Sequence, residues 1–266
     1  MELTVVIPLL NEAEILASNL ERFAAHCDRI VGAGKWKYVI VDNGSTDETP
    51  AILERVLPAW PGSRRIVVPE PDYGKALRAG LDAVDTPWAK TIDIEQWDIP
   101  FLAWAWRNRD DHDLFIGAKR ADPTINRQST QRMFLSWGLN ALINLFFQYS
   151  GSDTHGPKLL RMSALRPILS QCTLSRGQFD AEFVIRGFRQ GLRILEAPIA
   201  YQELRPPRAK MFFKIWTNVR EFTRLFLLLR RIGYSGPVRL RRVCREDLTS
   251  GQAAERSDQG ETRVLS

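Results

Sequence analysis

Tyr38-Val39-Ile40-Val41-Asp42-Asn43-Gly44-Ser45-Thr46-Asp47-Glu48-Thr49-Pro50-Ala51-Ile52 is the stretch that decides the fold class. Its first four residues are β-branched or aromatic and suit a buried strand. Asn43-Gly44 is a turn. Thr46 or Asp47, with Glu48 behind it, is an N-cap signal for a helix running through Ile52. An acidic side chain at the carboxyl end of a strand, beside a helix start, stands where open α/β sheets bind ligands. An ordinary strand–turn–helix joint, with Asp42 serving only as a cap, gives the same local pattern. The rest of the chain separates the two.

Outward from this segment the first hundred residues alternate. Leu3–Pro8 reads as a strand and Glu12–Phe23 as a helix with Ile15, Leu16, Leu20 and Phe23 on one face. After the strand at Tyr38–Val41 come a helix over Pro50–Leu57, a strand at Arg65–Val68, a helix at Lys75–Val84 and a strand at Ala89–Ile92. Leu114–Gly117 reads as a further strand. Such alternation implies a mostly parallel sheet with helices on both faces. Beyond residue 125 the pattern turns helical, over Arg132–Tyr149 and Asp180–Gln190, before a strand-like Arg193–Ala200.

The chain has 266 residues, 44% of them hydrophobic, enough for one sizeable core with an appendage. Its three cysteines, Cys27, Cys172 and Cys244, are far apart and in no metal-ligand spacing, which points to a reducing compartment. The first residues lack a basic leader and the first apolar run ends at Pro8, so no signal peptide is expected. No uninterrupted apolar stretch of about 18 residues occurs, so no membrane-spanning helix is expected either. The net charge of +6 conceals an asymmetry. Residues 205–245 hold twelve Lys/Arg against the single acid Glu221, so the rest of the chain is net acidic. The basicity belongs to one segment and calls for an anionic partner there.

Four polar clusters follow the first four strands: Pro8-Leu9-Leu10-Asn11-Glu12, Asp42-Asn43-Gly44-Ser45, Pro71-Asp72-Tyr73-Gly74-Lys75 and Asp93-Ile94-Glu95. In a parallel sheet these ends lie side by side and line one crevice. Carboxylates two apart, as in Asp93 and Glu95, can both reach a hard divalent cation that bridges phosphates. An isolated Asp-x-Glu is common on surfaces; four clusters in register are far more specific.

These motifs resemble the family 2 nucleotide-sugar glycosyltransferases, and within them the dolichol- or polyprenyl-phosphate mannose synthase branch. That family has Pro-x-Tyr-Asn-Glu after the first strand, Asp-Asp-Gly-Ser after the second, Gly-Lys after the third and Asp-x-Asp after the fourth. Gly117-Ala118-Lys119-Arg120, Asp153-Thr154-His155-Gly156, Phe179-Asp180-Ala181-Glu182 and Glu196-Ala197-Pro198-Ile199 extend the likeness to about residue 210. The fold it implies is α/β: the GT-A nucleotide-diphospho-sugar transferase fold, a mostly parallel central sheet with helices on both faces. It further implies that Pro8, Asn11, Glu12 and Asp42 surround the nucleoside and that Lys75 approaches the nucleotide. Asp93 and Glu95 would hold Mg²⁺ or Mn²⁺, while Arg120 and Arg132 would contact phosphate, for which the guanidinium fork is suited. Lys75 as a solvated helix-start lysine, and either arginine as a packing residue, are the plainer readings.

The chain departs from the pattern at Leu10, where the family has Tyr, at Asn43, where it has a second Asp, and at Glu95. Trp97 stands where the branch offers Gln as a further ligand; Gln96 and Asp98 are the substitutes within reach. The expected reaction moves a hexose, mannose or glucose, from GDP or UDP to a polyprenyl phosphate with inversion. A phosphate acceptor is already ionised and needs no strong base. A hydroxyl acceptor would need one, and Asp153, Asp180 and Glu182 are then the candidates. His155 reads better as a turn residue than as a base. A homologue that binds nucleotide or membrane with little catalysis is a further alternative.

Between Met211 and Arg231, Phe212, Ile215, Val219, Phe222, Phe226 and Leu229 form one helical stripe with Lys214, Arg220 and Arg224 off it. The stripe reads either as a helix packed on the domain or as one lying in an anionic membrane surface. Phe134, Leu135, Trp137, Leu142, Phe146 and Phe147 would supply a second lipid-facing surface. The arginines are interleaved with aliphatic residues, not with stacking aromatics, and no nucleic-acid partner is expected. The organisation expected is a transferase domain over 1–210, a basic amphipathic segment over 211–245 and a disordered tail over 246–266. The expected location is cytoplasmic, peripheral on the cytosolic face of a membrane.

Overall fold

The structure is a computed structural model, and it describes residues 1–95, 97–119, 126–127, 138, 141, 143–202, 220, 223–230, 233 and 239–250. The opening stretch folds as strand, turn and helix, but the helix starts at Thr49 with Glu48 at its N-cap, not Thr46 or Asp47. Strand β1 (Leu3–Leu9) pairs in parallel with β2 (Trp36–Asp42), Val6 opposite Val39 and Leu9 opposite Asp42. Every residue of both strands is buried. Leu3, Val5, Ile7, Trp36, Tyr38 and Ile40 feed one apolar layer, while Val6, Val39 and Val41 feed the other. This is the two-sided burial that makes a parallel strand a continuous apolar run.

Helix α1 (Leu16–Cys27) and α2 (Thr49–Val56) cover the first layer through Leu16, Leu20, Phe23 and Leu53. After β3 (Arg64–Val67), helix α3 (Tyr73–Asp82) returns over the opposite face and leads into β4 (Trp88–Thr91). β4 pairs with β1 on the side away from β2. The chain therefore reverses direction at β1, and the crevice at such a switch point is where α/β sheets hold ligands. Helix α4 (Ile99–Arg107), β5 (Leu114–Ala118) and the two-residue β6 (Asn126–Arg127) follow. Then come β7 (Lys158–Arg161), α5 (Met162–Leu169), α6 (Gln178–Arg189), β8 (Arg193–Pro198) and β9 (Tyr201–Gln202). Strand β10 (Arg239–Arg242) and helix α7 (Arg245–Ser250) close the described chain. The sheet order is β10-β8-β5-β7-β4-β1-β2-β3, with β7 antiparallel to both neighbours and the other pairs parallel. β6 and β9 form a separate two-stranded pair.

Several expectations shift. The helix read from Glu12 begins at Leu16, because the residues before it are held in a turn. The Glu12 carbonyl accepts from Ile15 and Leu16, and the Glu12 N–H donates to Thr49 Oγ1 at 2.9 Å. β7 and α5 went unread: β7 is only Lys-Leu-Leu-Arg, and Pro167 lies inside α5. The last described elements pack on the sheet and its first layer. β10 adds a strand to the main sheet beside β8, and Leu248 of α7 is 2% exposed within the first apolar layer. Arg242 pairs with Glu196 at 3.0 Å, and Arg245 with Asp98 at 2.6 Å. Residues 239–250 thus pack against the sheet; 251–266 lie outside the described residues.

Candidate active site

The carboxyl ends of β1 and β2 form a cross-bonded rim. Asn11 adopts φ 54°, and its Oδ1 accepts the Thr46 N–H at 2.8 Å while its own N–H donates to Ser45 Oγ at 3.0 Å. Asn43 Oδ1 accepts from the Asp72 N–H at 2.8 Å, tying the third cluster to the second. Pro8, Asn11, Glu12 and Asp42 are therefore brought together. Asp42 is 1% exposed, and both its oxygens are engaged. Oδ1 accepts the Ser45 N–H at 2.9 Å and Oδ2 meets Arg65 Nη2 at 2.6 Å. Arg65 was not foreseen, since it reads as one of several strand residues at a sheet edge. Lys75 is exposed on the first turn of α3 and does not line the cleft described next.

Beyond β4 opens a cleft lined by Tyr73, Asp93, Trp97, Lys119, His155 and Gly156 among others. Asp93 is exposed to it and Glu95 is half-buried. The turn carrying them is pinned by Asn19, whose amide donates to the Ile94 carbonyl at 2.9 Å. An exposed carboxylate at the cleft, with a second two residues on, is an oxygen donor set suited to a hard divalent cation completed by diphosphate oxygens. Among the described residues no cluster of three His, Cys, Asp or Glu forms a protein-only cage. Of the substitutes for the absent Gln, Asp98 is otherwise committed. Its Oδ1 caps α4 by accepting the Phe101 N–H at 2.8 Å, and its Oδ2 takes the Ala200 N–H and the Arg245 guanidinium. Gln96, Arg120 and Arg132 lie outside the described residues. Trp97 is a wall, packed edge-on against Phe23 at 5.3 Å.

The groups read as bases for a hydroxyl acceptor are each held in place. Asp153, 2% exposed, accepts the His155 N–H at 2.8 Å and the Lys119 N–H at 3.2 Å. Glu182, fully buried, accepts the Thr173 and Leu174 N–H groups through Oε2 and binds Arg186 through Oε1 at 2.8 Å. Both ring nitrogens of His155 are used, one with Thr154 Oγ1 at 2.9 Å and one with the Gly177 carbonyl at 2.7 Å. It is the turn residue the sequence suggested. Asp180 forms a 2.7 Å ion pair with Lys158, each side chain 1% exposed. Lys158 also donates to the Gly156 carbonyl at 2.8 Å. Gly156 is required here, because a Cβ would fall 1.7 Å from the Gly117 carbonyl oxygen. Lys158 was missed because an isolated lysine beside Pro157 carries no sequence signal until Asp180 is folded against it.

The apolar stripe of the basic segment faces inward where it is described. Leu225 and Leu229 are fully buried, Phe226 packs on Phe146 at 5.0 Å between ring centroids, and Arg189 donates to the Leu229 carbonyl at 2.7 Å. Phe147 is buried too, against the expectation that it faces lipid. Leu145 at 73%, Leu227 at 50% and Phe146 at 44% are exposed among the described residues of this region, beside the exposed Arg224 and Arg230. Phe212, Ile215, Val219 and Phe222, like Phe134, Leu135, Trp137 and Leu142, lie outside the described residues. No described helix is long and apolar enough to cross a membrane.

This arrangement has relatives. The family model described as "Glycosyl transferase family 2" matches residues 4–165. An uncharacterized glycosyltransferase of Mycobacterium tuberculosis is 27% identical over 208 residues, covering 74% of this chain and 84% of its own. A dolichyl-phosphate beta-glucosyltransferase of Trichomonas vaginalis is 24% identical, over 79% of this chain and 68% of that one. Among solved structures, glucosyl-3-phosphoglycerate synthase from Mycobacterium tuberculosis, in complex with Mn²⁺, UDP-glucose and phosphoglyceric acid, superposes with a TM-score of 0.54. That match is 18% identical and covers 88% of this chain and 81% of that one, a likeness of fold. With more than half of its length matched by one family, on a mostly parallel sheet with a cleft at the strand ends, the chain belongs to glycosyl transferase family 2 and carries the GT-A fold.

Proposed function

We propose that this transferase moves a hexose from a UDP- or GDP-sugar to a polyprenyl phosphate, at the surface of an anionic membrane, with inversion at the anomeric carbon. One observation carries the choice of acceptor. The three groups read as bases, Asp153, Asp180 and Glu182, and the turn residue His155 are each bound into backbone turns or ion pairs. A polyprenyl phosphate oxygen, ionised at neutral pH, attacks without needing any of them. The dolichyl-phosphate specificity in the name of the Trichomonas relative supports the same acceptor class.

In this reading the phosphate oxygen forms a bond to the anomeric carbon from the face opposite the diphosphate. The bond from that carbon to the diphosphate oxygen breaks, and the nucleoside diphosphate leaves with the electron pair. The chain's contribution is alignment and charge. The Pro8–Glu12 and Asp42–Ser45 rim holds the nucleoside, with Asp42 fixed by Arg65. Lys119 lies at the cleft beside the departing diphosphate, and Arg120 and Arg132 are further candidates. Asp93 and Glu95 would hold Mg²⁺ or Mn²⁺, which neutralises diphosphate charge when bound.

The test is product analysis with radiolabelled UDP-glucose and GDP-mannose offered to undecaprenyl phosphate, undecaprenol and free glucose. Transfer to the phosphate alone is expected. Transfer to undecaprenol or glucose, with the phosphate inert, overturns the assignment.

A further inference from the structure

Two arginines near the end of the described chain have no part in the transfer described above, and neither lines the cleft. Arg242 ends β10 and Arg245 opens α7, with only Val243 and Cys244 between them. Their backbone is anchored on both sides. The Val243 N–H donates to the Glu196 carbonyl at 3.0 Å, and the Cys244 N–H to Asp247 Oδ2 at 2.9 Å. Leu248 then plugs α7 into the first apolar layer.

Each guanidinium grips a buried carboxylate. Arg242 Nε donates to Glu196 Oε2 at 3.0 Å, and its Nη2 donates to the Ser150 carbonyl. Glu196 is fully buried on β8. Its Oε1 accepts the Ser152 N–H and the Ser152 hydroxyl, each at 2.8 Å, and the Asp153 N–H at 2.9 Å. Asp153 in turn accepts the backbone N–H groups of Lys119 and His155. An unbroken line of hydrogen bonds therefore runs from Arg242 to the cleft lining at Lys119 and His155. Arg245 reaches a second stretch of that lining. Its Nη1 donates to Asp98 Oδ2 at 2.6 Å and to the Pro198 carbonyl at 3.1 Å. The same Asp98 oxygen accepts the Ala200 N–H at 3.0 Å, and Asp98, Ile199 and Ala200 all line the cleft.

We propose that Arg242 and Arg245 are positioning residues for the bound nucleotide sugar, fixing through Glu196 and Asp98 the two stretches of cleft lining that receive its diphosphate. This rests on the nucleotide-sugar reading above and extends it to residues that touch no substrate. A buried carboxylate deprived of a donor must turn to another, and the backbone it holds moves with it. A binding site is only as well placed as the groups that support it, and a shift of about 1 Å is enough to weaken it.

The test is calorimetric titration of the full chain with Mn²⁺ present, using UDP, GDP, UMP and GMP. Wild type, Arg242→Met, Arg245→Met and the double variant are measured, each at a temperature where a melting curve shows it folded. Methionine keeps an apolar stem and removes the donors. Each single change is expected to weaken UDP and GDP by about 3- to 10-fold, the worth of one hydrogen bond to the diphosphate, and the double variant by more. UMP and GMP, which lack the outer phosphate, should be nearly unchanged, a selectivity that general loosening of the fold would not produce. Arg242→Lys and Arg245→Lys keep the charge but lose the fork, and should show a smaller loss of the same kind. They carry the test where a methionine variant unfolds. Diphosphate affinity unchanged in every folded variant, or lost equally with monophosphate affinity, overturns the assignment. Wild type that binds none of the four ligands overturns the nucleotide-sugar reading itself and this inference with it.

Discussion

Lys158 of β7 and Asp180 of α6 meet at 2.7 Å with both side chains 1% exposed, an ion pair fully enclosed beside the cleft. It joins the antiparallel strand β7 to the first turn of α6. Breaking such a pair from one side leaves a bare charge in the interior.

Lys158→Met is therefore expected to lose about 3–5 kcal/mol of stability, measured by urea unfolding. Lys158→Met/Asp180→Leu should lose clearly less than the two single changes together. Additive losses would show that the two groups are not coupled.

Lys90 gives the opposite sign. Its ammonium is buried over the Phe101 ring at 4.4 Å, with no hydrogen-bond partner among the described residues. Burial lowers its pKa to about 7. The unfolded chain keeps an ordinary lysine near pKa ~10.4. Between these values the unfolded state binds the extra proton, so stability rises with pH across that window. Below about pH 7 both states are protonated and the penalty is complete. Lys90→Met should then stabilise by about 2–4 kcal/mol at neutral pH and below. The gain over wild type should shrink toward pH 10 in thermal melts; a constant or growing gain would contradict the assignment.

Asp93→Asn should lower transfer by on the order of 100-fold or more, as expected for removing charge stabilisation at the leaving group. The loss should persist at saturating Mn²⁺, while EDTA should silence the wild type and added Mn²⁺ restore it. Undiminished turnover in EDTA would remove Asp93 and Glu95 from a metal role.

Leu145→Glu/Leu227→Glu alters two exposed side chains and should leave the melting temperature within about 2 °C of wild type. Sedimentation with vesicles containing phosphatidylserine should fall by on the order of 10-fold. Unchanged sedimentation would move the membrane contact elsewhere. Phe226, packed on Phe146, is a poor probe, since changing it disturbs the fold.

Leu248→Ala should cost about 2–5 kcal/mol, the range for a leucine truncated in a packed core. A cost near zero by urea unfolding would mean that α7 is not part of the domain.

The first hundred residues were readable because their signals are local. Runs such as Tyr38–Val41 are apolar on both faces, turns carry Asn-Gly or Pro-Asp, and strand-end carboxylates follow at short range. The later elements were harder. β7 begins with a lysine that becomes a core residue only through Asp180, 22 positions away. β10 is Arg-Leu-Arg-Arg, a basic run by composition, and is a strand because β8 offers an edge and Glu196 receives Arg242.

The same division runs through the site. Residue order and spacing alone placed Pro8, Asn11, Glu12, Asp42, Asp93 and Glu95 at the ends of parallel strands, because the alternation of strands and helices is a local pattern. Whether a carboxylate faces the cleft or is consumed by the fold was decided only in three dimensions. Asp98, Asp153 and Glu182 look as available as Asp93 in one dimension. Each is instead held by a helix cap, a backbone turn or an arginine. Asp98 also takes Ala200 and Arg245, and Asp153 the Lys119 N–H, from distant segments, and desolvation makes satisfying a buried carboxylate obligatory. What a polar residue can do is set by which partners tertiary packing leaves it.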